Sequence, residues 1–328
     1  MARPRSRPRP RRRARPLARA VAWTGGGLAT LAILAWAIGQ LMSDGTWWSQ
    51  WLSWIPTPVA LAASFVAAVA SYPAGRRFAG RWAIVFIVLA TWFLAFEHRF
   101  LRPGDGPREG LRVVHWNLTH CRPGGTPNFV NALIGLDGDV TVLSNPGSAP
   151  GAPEITAWLG PEGRVSSLGT FAVLSRLPIL RCEWIGANDA VFVGLAEIDA
   201  TSVLGRPIII YMLDLPSDPE LSRLAIAEQV GRFLDAKHLP PPDLVVGDFN
   251  MLRDSRAIRL MFPEAHHAFD EAGRGFGASY PRRWPVFHLD HLLLSSDWRA
   301  SRYDLVDPGV GRHRAQIGWI VPAGAPAP

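Results

Sequence analysis

Between Arg19 and Asp44 the chain carries no charged residue, and Ala20–Met42 alone is long enough to cross a bilayer, which takes about 20 apolar residues. A second uncharged stretch runs from Gly45 to Gly75 with its apolar centre at Pro58–Tyr72, and a third covers Trp82–Phe96. The third is short, so Phe78, Phe100 and the long side chains of Arg81 and Arg99 are needed to complete it. Three such runs in succession, with almost no polar face, predict spanning helices at about 20–42, 55–74 and 79–100 rather than buried core helices. Trp47, Trp48, Trp51 and Trp54 crowd the first connection, as tryptophan does at a membrane–water boundary.

The arginines then set an orientation. Residues 1–18 hold eight Arg and no acid, and the connection at Arg76, Arg77 and Arg81 is also basic, whereas the first connection has no Arg or Lys. The positive-inside rule therefore places the N-terminus in the cytoplasm and, after three crossings, everything beyond Phe100 outside the cytoplasmic membrane. The overall charge of +7 comes from this basic end. From Leu101 onward there are 21 basic against 25 acidic residues, a balance of −4, so the charge gives no support for a nucleic-acid groove. Two cysteines, Cys121 and Cys182, make neither a zinc motif nor a disulfide-dense scaffold, and two unpaired thiols are expected. The division that follows is a basic cytoplasmic tail at 1–18, a membrane region at 19–100, a Pro/Gly-rich linker at 101–110, a folded domain at 111–322 and a disordered tail at 323–328.

Within the folded domain, short β-branched runs bounded by turn residues predict strands at Val113–Trp116, Val140–Leu143, Phe171–Leu174, Val191–Leu195, Ile208–Leu213, Leu244–Val246, Leu292–Leu294 and Ile317–Val321. Helical periodicity is visible at Asn128–Leu136 and Pro219–Leu234. Many strands without strict alternation with helices predict an α+β domain of packed sheets. Polar residues gather at the strand ends: Asn117, Asp214, Asp248 with Asn250, Asp290 and His313. Collected at one edge, such carboxylates and amides are what a hard cation and a phosphate need, although each alone is also an ordinary turn-capping residue. In His288-Leu289-Asp290-His291 strand alternation sets His288 and Asp290 on one face and His291 on the other, leaving Asp290 as the site residue; His266 and His267 read as solvent-facing loop.

In order and spacing these segments resemble the endonuclease/exonuclease/phosphatase family of deoxyribonuclease I-like phosphoesterases. Leu111–Leu118 (LRVVHWNL) is similar to its opening strand, Ala172–Ile179 (AVLSRLPI) to its "ailSryPi" segment, and Leu244–Asn250 (LVVGDFN) carries its GDFN motif. Ser279–Pro281 with Phe287–Ser295 looks like its "TyP…riDhilvS" region, and Gly311–Val321 stands where its closing "sDHrPvva" strand falls. The resemblance implies a four-layer αββα sandwich and a hydrolase of phosphoesters that uses Mg²⁺ or Mn²⁺. Carried over by position, Asp248, Asn250, Asp290 and His313 are its catalytic residues and Asn117, Asn250 and Arg312 its substrate contacts. Asp248, Asn145 and Asp214 are the expected metal residues. Asn145 stands where the family has a Glu, Asp214 where it has a His, and Arg312 where it has an Asp. A phosphoester substrate bound by a membrane-integral protein is therefore expected, and the same residues also admit a tethered ligand-binding domain without turnover.

Overall fold

A computed structural model describes residues 14–102, 106–119, 121, 125–188 and 190–325. Residues 1–13 of the expected basic tail and 326–328 of the expected disordered tail lie outside the described residues. The N-terminal region consists of helices α1 (Ala14–Met42), α2 (Trp47–Ser53), α3 (Thr57–Ser71) and α4 (Arg76–Trp92), the last continued by a π-helical turn at Phe93–Glu97. Two stretches, Arg19–Met42 and Arg76–Glu97, are long and apolar enough to cross a membrane, and α2 with α3 forms a third candidate bent by 66°. The bend has a local cause, since Pro56 sits in extended backbone (φ −75°, ψ 147°) just before α3 and its ring cannot continue a helix. Where α2 ends against α1, a Cβ on Gly39 would collide with the carbonyl of Leu52, so glycine is what admits the approach. Trp36 of α1 donates to the Thr57 hydroxyl (3.2 Å) and joins α1 to the start of α3.

The remainder folds around twelve strands: β1 (Leu111–Asn117), β2 (Val140–Ser144), β3 (Arg164–Leu168), β4 (Phe171–Ser175), β5 (Ile179–Asn188), β6 (Val191–Ile198), β7 (Ile208–Asp214), β8 (Leu244–Asp248), β9 (His266–His267), β10 (Asp290–Leu294), β11 (Trp298–Val306) and β12 (Ala315–Pro322). Their helices are α5 (Thr126–Leu136), α6 (Pro153–Leu159), α7 (Thr201–Leu204), α8 (Arg223–Lys237), α9 (Arg256–Met261) and α10 (Ala268–Ala272). The strands make two six-stranded sheets, ordered β11-β12-β1-β2-β4-β3 and β5-β6-β7-β8-β10-β9.

Strand alternation builds the layers. On β1, Val113 points between the sheets and packs with Val142, Met212, Val246 and Leu292, while its neighbour Val114 points outward to Leu133 of α5 and Ile155 of α6. The outer face of the second sheet carries Leu195, Tyr211 and Val245, covered by Ile226 and Val230 of α8 and Ile258 of α9. Helices on both outer faces of two packed sheets are the expected αββα sandwich. No disulfide joins Cys121 and Cys182. The expected helix at Pro219–Leu234 begins instead at Arg223, because the Ser222 hydroxyl caps it by accepting from Ala225 N–H (3.4 Å).

Candidate active site

Register brings the acidic residues together. Asp248 closes β8, where it faces Asp214 of parallel β7 on one side and Asp290 of antiparallel β10 on the other. Three carboxylates thus lie side by side at one end of a single sheet, an arrangement whose mutual repulsion is unfavourable unless something offsets it. The local sequence holds the row in place. Gly247 passes so close to β7 that a Cβ would collide with the Leu213 carbonyl, and Asn250 takes left-handed backbone (φ 48°), which asparagine tolerates. From that position the Asn250 N–H donates to Asp248 Oδ1 (3.0 Å), and its side-chain amide donates to the Leu215 carbonyl (2.7 Å).

The other sheet supplies two offsetting groups. Asn117, at the end of β1, donates its amide to Asp248 Oδ2 (2.7 Å) and accepts from Thr119 N–H (2.8 Å). His313, just before β12, donates from Nδ1 to Asp290 Oδ2 (2.9 Å) and turns Nε2 towards Asp248 Oδ2 at 3.9 Å. Burial favours a neutral His313, but the charge and hydrogen bond of Asp290, with help from Asp248, raise it to about 9. Burial likewise opposes ionisation of Asp290, yet the His313 charge and hydrogen bond hold it below its ordinary value. Asp248 goes the other way: burial first, then the Asp290 and Asp214 charges, push it well above the usual carboxylate range despite His313. At neutral pH the site therefore contains an imidazolium, a carboxylate that orients it and a carboxyl group shifted towards its neutral form.

Two expected residues sit a little apart. Asn145 also holds left-handed backbone (φ 49°) and donates its amide to Asp214 Oδ2 (3.0 Å), while the Thr170 hydroxyl lies 2.9 Å from both side chains. Arg312 is exposed at the rim, donating to the Tyr280 hydroxyl (2.9 Å). A cleft of about 500 Å³ connects all of these, lined by Asn117, Asn145, Asp214, Asp248, Asn250, Arg312 and His313, with Trp54, Tyr280 and Phe287 as aromatic walls. Asp290 lies behind His313, fully buried. The buried Asp248, Asp290 and His313 offer ligand atoms within 4.8 Å of one another, but His313 Nδ1 is already engaged by Asp290. Asp214 fits a hard cation better. It is a cleft-lining carboxylate paired in register with Asp248, and Mg²⁺ usually takes one or two carboxylates with water and substrate phosphate.

The sequence marks no role for two further residues of this region, His115 and Ser279. His115 faces between the sheets, bonded to Ser144 Oγ (3.0 Å) and Gln316 Nε2 (2.9 Å), with Nδ1 4.0 Å from Asp290 Oδ1. Ser279 Oγ accepts from the backbone N–H groups of Leu289 (3.1 Å) and Asp290 (3.2 Å) and so fixes the start of β10. Alternation along β1 was the available signal for His115, since it points away from Val114 and Trp116. The histidines beside Asp290 differ from expectation. β10 begins only at Asp290, so alternation does not reach His288, whose ring stacks on His291 (4.9 Å, 3°). His266 and His267 form β9 at the sheet edge, and His267 packs 5.0 Å from His291 rather than facing solvent.

A model of the "Endonuclease/Exonuclease/phosphatase family" matches residues 127–320. Similar solved structures include a mannosyl-6-phosphatase from Bacteroides thetaiotaomicron (13% identity, 64% of this chain and 99% of that one, TM-score 0.48). A functionally unknown conserved protein from Enterococcus faecalis matches at 12% identity over 64% of this chain and 99% of that one, with TM-score 0.50. A member of the same family from Beutenbergia cavernae matches at 14% identity over 67% and 73% of the two chains, with TM-score 0.47. No curated protein matches. Family enzymes are typically dependent on divalent metals. A family match across more than half of the sequence, ending in the strand that follows His313, leads to one conclusion: this chain belongs to the endonuclease/exonuclease/phosphatase family.

Proposed function

We propose that this protein is a membrane-anchored phosphoester hydrolase that uses Mg²⁺ or Mn²⁺. The observation that carries the reading is the buried Asp248–His313–Asp290 constellation at the cleft, in which one carboxyl is pushed up and one imidazole is held cationic. A base is most effective when its pKa lies near the working pH, and Asp248 meets that condition. Asp248 takes the proton of the attacking water, while Asn117 and the Asn250 N–H keep its carboxylate aimed. His313 directs Nε2 at the phosphoryl oxygens, and Asp290 fixes its tautomer and charge. Arg312 at the rim meets the phosphate with a guanidinium. Asp214, with the Asn145 side chain beside it, would hold the cation next to Asp248, and the cation would supply neutralising charge at a phosphoryl oxygen.

The anchoring also has geometric support. Ser43, Asp44 and Gln50, between α1 and α3, hydrogen-bond to Asp254, Arg256 and Leu221 of the folded domain. Residues 43–56 and the domain after Glu97 must therefore share one side of a membrane, so α3 and α4 either both cross or both stay. With the apolar Arg76–Glu97 segment crossing, α3 crosses too, and Arg76 and Arg77 lie on the same side as the basic N-terminus. The positive-inside rule makes that side cytoplasmic and the cleft extracytoplasmic. The five-part division at residues 18, 100, 110 and 322 is part of the same proposal.

A second reading, phosphate binding without turnover, is favoured by Asn145 and Arg312 standing where the family pattern has acids. One experiment separates the two. The full chain, purified in detergent, is assayed on bis(para-nitrophenyl) phosphate and para-nitrophenyl phosphate with and without Mg²⁺ or Mn²⁺, beside Asp248→Asn. Cation-dependent turnover abolished by the substitution is expected. Phosphate binding by calorimetry with no turnover of either compound would replace the hydrolase by the binding domain.

A further inference from the structure

Helix α2 is built inside out for a soluble protein. Its buried side is polar, with Ser49, Gln50 and Ser53 all turned inward, and its exposed side presents Trp47, Trp48 and Trp51. The polar side is engaged with the folded domain: Gln50 donates to the carbonyls of Pro219 (2.9 Å) and Leu221 (3.0 Å) and accepts from Arg223 N–H (3.0 Å). These contacts hold the loop whose Leu215, Pro216 and Ser217 form one wall of the cleft. A tryptophan face left outward beside apolar spanning helices matches the aromatic belt at a membrane–water boundary.

One helical turn after Trp51, about 5 Å along the axis, comes Trp54. It packs edge-on against Phe287 (5.2 Å), and both rings line the active-site cleft. The hairpin that ends at Phe287 repeats the pattern. Val286 shares a cavity with Leu41 of α1 and Trp92 of α4, at the domain-side ends of both helices. The tip of that hairpin carries exposed Arg283 and Trp284, the latter 82% exposed, a cation and an indole suited to an anionic lipid surface. The aromatic rim of the cleft, Trp54 and Phe287, thus lies on the same two short segments as the exposed Trp51 and Trp284, while the domain's −4 balance disfavours a polyanion in free solution.

We propose that the cleft takes its substrate from the bilayer surface: a phosphoester of a membrane lipid, with the phosphate reaching His313 past Trp54 and Phe287 and the hydrocarbon remaining in the membrane. This rests on the hydrolase reading and adds the substrate class to it. Water attacks phosphorus, the P–O bond to the leaving alcohol breaks, and that oxygen takes up a proton, so no further reactant is required.

The test uses the full chain reconstituted in phosphatidylcholine vesicles. Phosphatidic acid and phosphatidylglycerol in the vesicles are compared with short-chain counterparts that stay monomeric in water and with bis(para-nitrophenyl) phosphate. The vesicle lipid is expected to turn over at least about tenfold faster than its monomeric counterpart, as confinement to the surface raises its effective concentration. Trp284→Ala, which alters an exposed tip and leaves the fold intact, is expected to lower the vesicle rate severalfold, with Trp284→Phe restoring it and the monomeric rate unchanged. Equal or slower turnover of vesicle lipid beside active hydrolysis of the soluble compounds would overturn the substrate assignment and leave the hydrolase standing. An unaltered vesicle rate in Trp284→Ala would overturn the bilayer contact. Absence of turnover on every compound removes both the hydrolase and this proposal.

Discussion

Two groups of histidine flank the start of β10, and they differ in charge because they differ in partner. His313 and His291 are both buried within a few residues of Asp290 in space, yet His313 is raised to about 9 and His291 lowered to about 4. Burial pushes both down. What separates them is the partner: His313 Nδ1 donates to the Asp290 carboxylate at 2.9 Å, whereas His291 donates from Nε2 to the neutral Met251 carbonyl at 2.9 Å and its Nδ1 has no hydrogen-bond partner among the described residues. His288, stacked on His291, is also held well below its ordinary value by burial, with His291, Arg253 and His267 adding repulsion. One carboxylate therefore divides a charged histidine at the cleft from a neutral buried group.

The largest loss is expected at Asp248. Asp248→Asn keeps the shape and the Asn117 contact but removes the base, so phosphoester turnover is expected to fall about 10²- to 10⁴-fold with the thermal midpoint preserved. Asp290→Asn should convert His313 into a histidine of the other kind. Its imidazole, followed by NMR, is expected to drop from about 9 to below 6.5. Turnover should fall by about 10- to 100-fold, the usual effect of losing an orienting carboxylate. A His313 that still titrates above 8 in this variant would show that Asp290 is not the cause.

The neutral group predicts acid lability. His291 has a folded value depressed to about 4 from 6.5, so its stabilisation is fully present above about 6.5 and is lost as pH falls through 4. The amount is on the order of 3 kcal/mol, and His288 acts in the same direction. The groups facing them are His267, Arg253, Asp270 and Asp290, none of which donates a hydrogen bond from a carboxyl to either ring. The full chain should therefore lose thermal stability steeply between pH 6.5 and 4, and His288→Phe should flatten that slope; an unchanged slope would contradict a neutral cluster.

The smallest expected effect lies outside both groups. Asp44, from the α1–α2 connection, accepts from Arg256 N–H (2.6 Å) and from the Ser255 hydroxyl, capping α9 from a distant part of the chain. Asp44→Ala should cost about 1 kcal/mol, measured as a shifted unfolding midpoint, with both histidine groups titrating as before.

Strands that bury both faces announced themselves as β-branched runs ending in a polar residue, as Leu244–Val246 does before Asp248. The edge or near-edge strands β3, β5 and β11 did not, because Arg164–Leu168, Ile179–Asn188 and Trp298–Val306 are partly solvated and their apolar alternation is diluted. Asp248 and the Asp290–His313 pair were legible through motifs, since the family pattern specifies residue type and order together. Ser144 and Gln316, 29 and 201 residues from His115 in the chain, carried no such mark.

Composition and periodicity were enough to establish an apolar, arginine-bracketed N-terminal third and a strand-rich domain with carboxylates at its strand ends, because hydrophobic burial and turn chemistry act over short stretches of chain. Which imidazole is charged, which carboxyl is raised and where Trp54 meets the cleft were settled only when the sheets paired in register and α2 docked on the domain. Those properties depend on distances between residues far apart in sequence, and electrostatic and desolvation effects follow distance in space.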